Sequence, residues 1–243
     1  MFYLQVLFVY LPLTYLALTL LLYTLSALRI LPPYTSFAAR LLASYFSLLL
    51  CATYGVVVSL ILRLRGNHRL AQHLTARAFD HVMRVTTGIR FSIVSGAEHL
   101  YTRPCVIIGN HQSELDVLLL GAIFPPYCSV TAKSSLKLVP FLGWFMALSG
   151  TVFIDRSNRQ DALKAFEKAA EEMRRERQTV FIFPEGTRSY AKEPTLGAFK
   201  KGAFHLAIRA GVPVVPVVAG CYWGVLGVGE RRFRGGTIPV KGM

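Results

Sequence analysis

The segment CVIIGNHQSELD, residues Cys105–Asp116, decides how this chain folds. Its first five residues form an apolar run that is typical of a buried strand. His111 and Asp116 follow where the strand gives way to a helix, which is the usual position of catalytic groups in an α/β fold. An imidazole accepts a proton near neutral pH, and a carboxylate on its other ring nitrogen fixes its tautomer. Because no serine or cysteine nucleophile motif accompanies the pair, it indicates a base that activates a substrate hydroxyl directly.

The spacing of His111 and Asp116 limits how their side chains can meet. Five positions along a regular helix correspond to an offset of about 140°, so two helical residues at this spacing lie on different faces. The side chains can meet if His111 lies in the loop and Asp116 in the first helical turn. Ser113 favours this arrangement as a helix cap, but it also allows a simpler interpretation, a capping box of Ser113 and Asp116 with His111 as a loop residue. The spacing leaves both interpretations open.

Strand and helix signals alternate on both sides of this segment. Strands are predicted at Ile89–Val94, Val106–Ile108, Cys128–Thr131, Thr151–Ile154, Thr179–Phe183 and Val214–Val218, with a further candidate at Thr237–Val240. Helical patterns separate most of them, and the clearest covers residues 158–177 with a cap at Ser157. This alternation predicts an α/β fold with a largely parallel sheet flanked by helices.

The first 62 residues carry only two charges, Arg29 and Arg40. Phe2–Leu28 and Leu41–Leu62 are apolar stretches without charge, and each is long enough to span a bilayer, which takes about 20 residues. A Pro-Pro pair breaks the chain between them. These features predict an N-terminal membrane helix hairpin. A cleaved signal peptide is the alternative, but the basic start and short apolar region of a signal peptide are missing here.

The charge of the chain is strongly positive, with a net value of +14. Such a surface suits anionic lipid headgroups, phosphorylated substrates or nucleic acid, and nucleic acid is disfavoured because no recognition motif is present. The arginines after the second apolar stretch outnumber those between the two stretches, so the positive-inside rule places the rest of the chain on the cytosolic side. The four cysteines lack metal-ligand spacing, and we expect no metal site.

A second polar segment, FPEGTRS at Phe183–Ser189, also follows a predicted strand. Gly186 lets backbone amides approach a ligand closely, and Arg188 can bind a phosphate through two parallel hydrogen bonds. Thr187 can add a hydroxyl donor, while Glu185 can bind a substrate hydroxyl or hold Arg188 in place. The segment therefore predicts a phosphate site. The alternative is a plain turn with a surface arginine.

Further cations stand at the ends of predicted elements. Arg156 follows a third strand, and its alternative role is an ion pair with Asp155 or another carboxylate. Lys200 and Lys201 begin a helix, where both the side chains and the helix N-terminus attract anions. Lys133 follows the strand at Cys128 and can approach the reaction centre. The alternative for Lys200 and Lys201 is a solvated basic turn, and the alternative for Lys133 is a surface lysine at a strand end.

Four of these stretches, in this order, resemble the signature blocks of the glycerolipid acyltransferase family of the PlsC type. The similarity is greatest to its eukaryotic lysophosphatidic acid acyltransferases. His111 and Asp116 match the His-x4-Asp signature, and the other blocks are Gly150–Arg156, Phe183–Ser189 and Val212–Val217. Each block alone is weak evidence for the resemblance, but four blocks in the family's order are highly specific for it.

The resemblance implies transfer of an acyl group from acyl-CoA to the sn-2 hydroxyl of lysophosphatidic acid, which gives phosphatidic acid. It makes His111 the general base and Asp116 the residue that orients it. The residues that it places at the glycerol-phosphate end are Arg156, Glu185, Gly186, Thr187 and Arg188. Because a thioester is already activated, no cofactor or metal is expected besides acyl-CoA as co-substrate. The alternatives are an acyltransferase for glycerol-3-phosphate or another lysophospholipid, and a non-catalytic membrane protein that binds anionic lipid.

We therefore expect four parts: a membrane-anchoring hairpin (1–65), a basic connecting segment (66–100), an acyltransferase domain (101–220) and a C-terminal end (221–243). Members of the family usually continue with a further strand and helix, so the glycine- and arginine-rich end after Cys221 is expected to be divergent or truncated. The resemblance also implies an integral membrane protein of the endoplasmic reticulum. Its partners would be the lipid bilayer, lysophosphatidic acid and acyl-CoA, with no nucleic acid.

Overall fold

The apolar runs after residue 88 form one seven-stranded sheet in the computed structural model, which describes residues 6–30, 32, 34–155 and 159–243. The strands of this sheet are β1 (Ile89–Ser95), β2 (Val106–Gly109), β3 (Cys128–Lys133), β4 (Val152–Ile154), β5 (Thr179–Ile182), β6 (Val214–Ala219) and β9 (Gly236–Gly242). Two short strands, β7 (Leu226–Gly227) and β8 (Arg232–Phe233), lie between β6 and β9 in the sequence and form a separate two-stranded sheet.

The order of the sheet is β1-β9-β6-β2-β5-β3-β4, and the neighbouring strands run parallel except for β6 and β9. This confirms the predicted α/β fold with a largely parallel sheet. The helices are α1 (Leu11–Ala27), α2 (Tyr34–Leu64), α3 (Ala71–Thr87), α4 (Asp116–Ile123), α5 (Leu142–Leu148), α6 (Arg159–Glu176) and α7 (Gly202–Ala210). A π-helical turn at Val6–Tyr10 precedes α1. The cap predicted at Ser157 lies outside the described residues.

Strand β2 shows how helices cover the sheet on both faces. Ile107 belongs to the hydrophobic cluster that contains Leu118 of α4. Val106 and Ile108 point to the other face, where they join the cluster that contains Met173 of α6. All three strand residues are buried, which explains why β2 reads as a continuous apolar run rather than an alternating one. Its carboxyl end, with the loop that follows, lies at the same sheet edge as the end of its parallel neighbour β5.

Helix α2 packs on the α/β domain along one face. Its buried residues are mostly small, and they recur about every fourth position: Thr35, Ala39, Ala43, Ser47, Cys51, Ala52, Gly55 and Ser59. At Gly55 a Cβ atom would lie 2.5 Å from the ring of Phe145 in α5, so the helix backbone approaches the domain closely. Leucines and tyrosines occupy the opposite, exposed side of α1 and α2. The predicted hairpin is therefore docked on the domain and not free-standing.

By length and composition alone, α2 could cross a membrane, whereas α1 with its 17 residues is the shorter of the two apolar helices. Helix α1 ends at Ala27 and α2 begins at Tyr34, which agrees with the break predicted between the two stretches. The loop between them contains Pro32, and the second proline lies outside the described residues.

The C-terminal segment 221–243 contributes an interior strand of the sheet. Strand β9 lies between β1 and β6, and its residues Ile238 and Val240 are buried. The strand predicted at Thr237–Val240 is thus confirmed, and β9 extends beyond it at both ends. The segment completes the hydrophobic core on the β1 side of the sheet.

Candidate active site

The loop between β2 and α4 brings His111 and Asp116 together. His111 Nδ1 lies 2.7 Å from Asp116 Oδ2, and the same oxygen accepts the backbone N–H groups of Gln112 and Ser113 at 2.9 and 3.0 Å. Asp116 is the first residue of α4 and is buried. The carboxylate therefore binds the imidazole and two backbone N–H groups of its own loop at once. Ser113 is not the helix cap that the sequence suggested, because the N-cap is Leu115 and the Ser113 hydroxyl accepts the Leu115 N–H.

The contact with Asp116 determines which ring nitrogen of His111 can act as a base. A carboxylate oxygen that already accepts two N–H groups is an acceptor, so His111 Nδ1 carries the hydrogen and Nε2 keeps the lone pair. The imidazole is partly exposed and stacks on the Phe183 ring, with centroids 4.2 Å apart and planes inclined by 16°. The ring is thus held on one face and on one edge, and Nε2 is the ring nitrogen that keeps its lone pair.

The loop after β5 holds the loop between β2 and α4 through backbone hydrogen bonds. The N–H of Ser189 donates to the His111 carbonyl at 2.9 Å, and the N–H of Tyr190 donates to the Gln112 carbonyl at 3.0 Å. These contacts place the FPEGTRS segment beside the pair of His111 and Asp116, which we call the dyad. The placement follows from the parallel pairing of β2 with β5, because both loops leave the same edge of the sheet. The two motifs that the sequence singles out therefore form one site.

Glu185 joins two loops through their backbones. It is buried, Oε1 accepts the His111 N–H at 2.7 Å, and Oε2 accepts the Gly197 N–H at 2.8 Å. The sequence offers two roles for Glu185, a substrate contact or a support for Arg188. The structure shows a different support, because both oxygens bind main-chain amides and Arg188 pairs with Glu114. A direct contact of Glu185 with substrate stays a prediction.

Arg188 lies beside the dyad and holds a carboxylate in this structure. Its Nη1 is 2.8 Å from Glu114 Oε1, and the Tyr190 hydroxyl donates to the same oxygen at 2.6 Å. Both members of the ion pair are more than a third exposed, and such pairs contribute only about 0–1 kcal/mol to stability. A phosphate can therefore displace Glu114 from Arg188 at little cost. The sequence analysis missed Glu114, because the contact joins residues far apart in the chain.

Gly186, Thr187 and Lys200 gather on the turn next to Arg188. Gly186 has a φ of +69°, which glycine adopts without steric cost. A Cβ atom at this position would come within 2.7 Å of Lys200 Nζ, so the ammonium group lies over the turn. Thr187 is exposed on the same turn, and the Lys200 N–H binds the Pro184 carbonyl at 2.8 Å. The structure thus assembles a cationic cradle from the predicted residues.

Three predicted cations stand apart from this cradle or outside the described chain. Lys201 is exposed and directly precedes α7. Lys133 ends β3, which is separated from β2 by β5, and its exposed side chain has no hydrogen bond to the dyad among the described residues. Arg156 lies outside the described residues. Their substrate contacts remain predictions.

Two amide side chains that flank His111 connect the loop between β2 and α4 to the end of β6. Asn110 exchanges two hydrogen bonds of 2.9 Å with the backbone of Ala219. Gln112 donates to the Gly220 carbonyl at 2.8 Å and accepts the N–H of Tyr222 at 3.1 Å. Sequence reasoning missed these roles. The available signal was the pair of amides on either side of the histidine.

A cavity of about 430 Å³ adjoins the loop between β2 and α4 on the side of Glu114. The residues that line it are Gln112, Ser113, Glu114, Tyr190, Ala191, Tyr222, Trp223, Leu226, Gly227, Val228, Gly229 and Glu230. More than half of this wall comes from the segment after Cys221, where the family's sequence pattern ends. The C-terminal segment therefore shapes the site as well as the sheet.

We expect Glu185→Ala to destabilise the protein. The change leaves two backbone N–H groups without an acceptor, and each unsatisfied group costs about 1–3 kcal/mol, so we expect a loss of about 2–4 kcal/mol. In a protein of this size such a loss lowers the midpoint of thermal unfolding by roughly 5–15 °C. The exposed Glu193→Ala in the same loop is the control and should leave the midpoint unchanged. An unchanged midpoint for Glu185→Ala would contradict the supporting role.

Comparison with known proteins identifies similar sequences. Residues 92–220 match the model of the family described as Acyltransferase. The "1-acyl-sn-glycerol-3-phosphate acyltransferase" of Saccharomyces cerevisiae is 54% identical over 168 residues, which cover 69% of this chain and 55% of that protein. The human "1-acyl-sn-glycerol-3-phosphate acyltransferase beta" is 36% identical over 193 residues, or 79% of this chain and 69% of that protein. The match to the yeast protein thus spans little more than half of its length.

The fold has also been seen in a solved structure. The crystal structure of the "1-acyl-sn-glycerophosphate (LPA) acyltransferase, PlsC" from Thermotoga maritima superposes with a TM-score of 0.62 at 24% sequence identity. The superposition covers 96% of this chain and 85% of that protein. At this identity the likeness concerns the fold alone, and it includes the N-terminal helices as well as the sheet.

Proposed function

Because this chain belongs to the acyltransferase family, we propose that it transfers an acyl group from acyl-CoA to the sn-2 hydroxyl of lysophosphatidic acid, giving phosphatidic acid. The observation that carries the proposal is the 2.7 Å contact between His111 and buried Asp116 at the end of β2. The relatives from yeast and human, named as acyltransferases of 1-acyl-sn-glycerol-3-phosphate, support this choice of acceptor.

In the proposed reaction His111 acts directly on the acceptor. Nε2 takes the proton from the acceptor hydroxyl while the oxygen attacks the thioester carbonyl, and Asp116 stabilises the imidazolium that forms. The carbon–sulfur bond then breaks, and the departing CoA thiolate takes the proton from the imidazolium. No acyl-enzyme is formed. Base catalysis of this kind contributes about 10²–10⁴-fold, and positioning and oxyanion stabilisation supply the rest.

The cationic cradle is proposed to hold the phosphate of the acceptor. Arg188 exchanges the Glu114 carboxylate for phosphate oxygens, and Lys200 lies over the neighbouring turn at Gly186. Lys133, Arg156, Thr187 and Lys201 are further proposed contacts on the substrates. The reaction needs no metal and no cofactor in this scheme, since acyl-CoA is consumed as a co-substrate.

The exposed apolar surface of α1 and α2 supports membrane association. It carries many exposed leucines, and soluble monomers rarely expose contiguous apolar patches beyond a few hundred Å². A membrane-bound enzyme meets its lipid acceptor in the bilayer, so the anchor would deliver substrate to the dyad. We propose that α1 and α2 embed in the membrane of the endoplasmic reticulum, with the domain on the cytosolic side.

The test is acyl transfer by the purified protein in detergent, measured with radiolabelled acyl-CoA and a panel of acceptors. The panel contains lysophosphatidic acid, glycerol-3-phosphate and lysophospholipids with larger headgroups. We expect labelled phosphatidic acid as the main product. Preference for another acceptor would replace the proposed substrate. A folded sample that binds anionic vesicles but yields no lipid product would indicate the non-catalytic alternative.

Arg188→Ala is expected to weaken binding of the acceptor more than it slows chemistry. Hydrogen bonds to a charged group are worth about 1.5–3 kcal/mol, so KM for lysophosphatidic acid should rise about 10–100-fold while kcat falls less. The measurement is the initial rate as a function of acceptor concentration at saturating acyl-CoA. Arg175→Ala, which removes an exposed arginine paired with Glu176, is the matched control. An unchanged KM for Arg188→Ala would place the phosphate elsewhere.

A further inference from the structure

The two oxygens of Asp116 have unequal surroundings. Oδ2 accepts hydrogen bonds from His111 Nδ1 and from two backbone N–H groups. Oδ1 is fully buried and has no hydrogen-bond partner in the structure. An unsatisfied buried oxygen on a charged group is costly, so a donor next to Oδ1 would stabilise the carboxylate considerably.

Tyr222 carries a buried hydroxyl that also lacks a partner. Its side chain is 2% exposed, and its ring packs edge-on against Phe91 with centroids 5.4 Å apart. Its backbone N–H binds Gln112 Oε1 at 3.1 Å, and Gln112 in turn donates its own N–H to Asp116. The tyrosine is therefore tied to the same loop that holds the carboxylate.

The Tyr222 hydroxyl and Asp116 Oδ1 are two buried polar atoms without a partner among the described residues, and Gln112 joins the residues that carry them. Burial raises the pKa of the Tyr222 hydroxyl well above its usual value, and the negative charge of the Asp116 carboxylate raises it further. A rotation of the phenol or of the carboxylate would join this unpartnered donor to this unpartnered acceptor.

We propose that Tyr222 is a positioning residue for the dyad, whose hydroxyl donates a hydrogen bond to Asp116 Oδ1. The bond would fix the second oxygen of the carboxylate and prevent it from rotating, so that Oδ2 stays on His111 Nδ1. Tyr222 thereby acts on the base through Asp116 and does not touch the substrate. The inference rests on the proposed function for its effect on the rate, but the contact itself belongs to the folded protein.

Tyr222→Phe removes the hydroxyl and keeps the ring that packs on Phe91. We expect kcat to fall about 3–10-fold, with the KM values for acceptor and acyl-CoA within twofold of the original enzyme, because the substrates are not contacted. Tyr101→Phe, which removes the hydroxyl of an exposed tyrosine, is the matched control and should change neither constant. An unchanged kcat for Tyr222→Phe would overturn the proposal.

A double-mutant cycle with Asp116→Ala, which removes the proposed acceptor altogether, separates positioning from packing. If Tyr222 acts through the carboxylate, then Tyr222→Phe should change kcat less than twofold once the acceptor at position 116 is gone. A merely structural hydroxyl would lower kcat by the same factor in both backgrounds, and that result would overturn the proposal.

The midpoint of thermal unfolding, which does not depend on turnover, is also measured for the four proteins of the same cycle. We expect Tyr222→Phe to lower the midpoint in the original protein but not in the Asp116→Ala background. If this coupling is found and no acyl transfer is detected with any acceptor, the proposed function fails while the contact stands. Additive midpoints would overturn the contact even in an active enzyme.

Discussion

Replacement of His111 by alanine is expected to lower kcat for acyl transfer about 10²–10⁴-fold, which is the usual contribution of a general base. In the proposed mechanism His111 Nε2 supplies the lone pair for proton transfer, since Asp116 Oδ2 already accepts three hydrogen bonds and Oδ1 is buried. The ring is partly exposed and stacks on Phe183, so its removal should leave the fold intact. The measurement is the initial rate with labelled acyl-CoA and lysophosphatidic acid.

His99→Ala is the matched control for this change. His99 is an exposed histidine in the turn between β1 and β2, and its loss should leave kcat unaltered. Binding of both histidine variants to anionic vesicles should equal that of the original protein. Full activity of His111→Ala would show that another group removes the proton, and the mechanism would have to be abandoned.

Asp116→Asn has the second-largest expected effect, and the structure limits its size. Two backbone N–H groups point at the Oδ2 position, so the oxygen of the new amide should occupy it and still accept the His111 Nδ1 hydrogen. The tautomer is then kept and only the charge is lost. A unit charge at about 4 Å is worth roughly 4 kcal/mol at an effective dielectric constant of 20, so we expect a loss in kcat of about 10²–10³-fold.

The comparison with Asp116→Ala tests this reasoning. Alanine removes the acceptor of Nδ1 as well as the charge, so the loss should approach that of His111→Ala. In a serine-protease triad, where the amide turns the imidazole to the wrong tautomer, the same Asp-to-Asn change costs about 10⁴-fold. An Asp116→Asn variant as inactive as Asp116→Ala would show that the backbone amides do not hold the oxygen in place.

The strands were predictable because each is short, apolar and bounded by polar residues. Val106–Gly109 and Thr179–Ile182 are buried on both faces, and a central strand of a parallel sheet has to read as a continuous apolar run. Each of the two motifs follows one of these strands, and the parallel pairing of β2 with β5 brings both motifs to one edge of the sheet. Local pattern and topology thus suffice for the position of the site.

The supporting contacts of the site could not be predicted in the same way. The pairs Glu185–His111, Glu114–Arg188 and Gln112–Tyr222 join residues that are far apart in the sequence. No periodicity marks such contacts, because each depends on the register of neighbouring loops rather than on a local preference. Glu185 illustrates the difficulty, since its place in a motif suggested a substrate contact and gave no sign of the two backbone amides.

The position of β9 has a consequence for how the molecule is made. Strand β1 reaches the rest of the sheet only through β9, its partner roughly 150 residues later in the chain. At a synthesis rate of about 5–20 residues per second, β1 waits for about 7–30 seconds on the ribosome with its edge unpaired. During that interval the apolar N-terminal helices have already emerged. A nascent chain therefore keeps the β1 edge unpaired until almost all of the sequence has been synthesised, and an unpaired strand edge is a template for pairing with another chain.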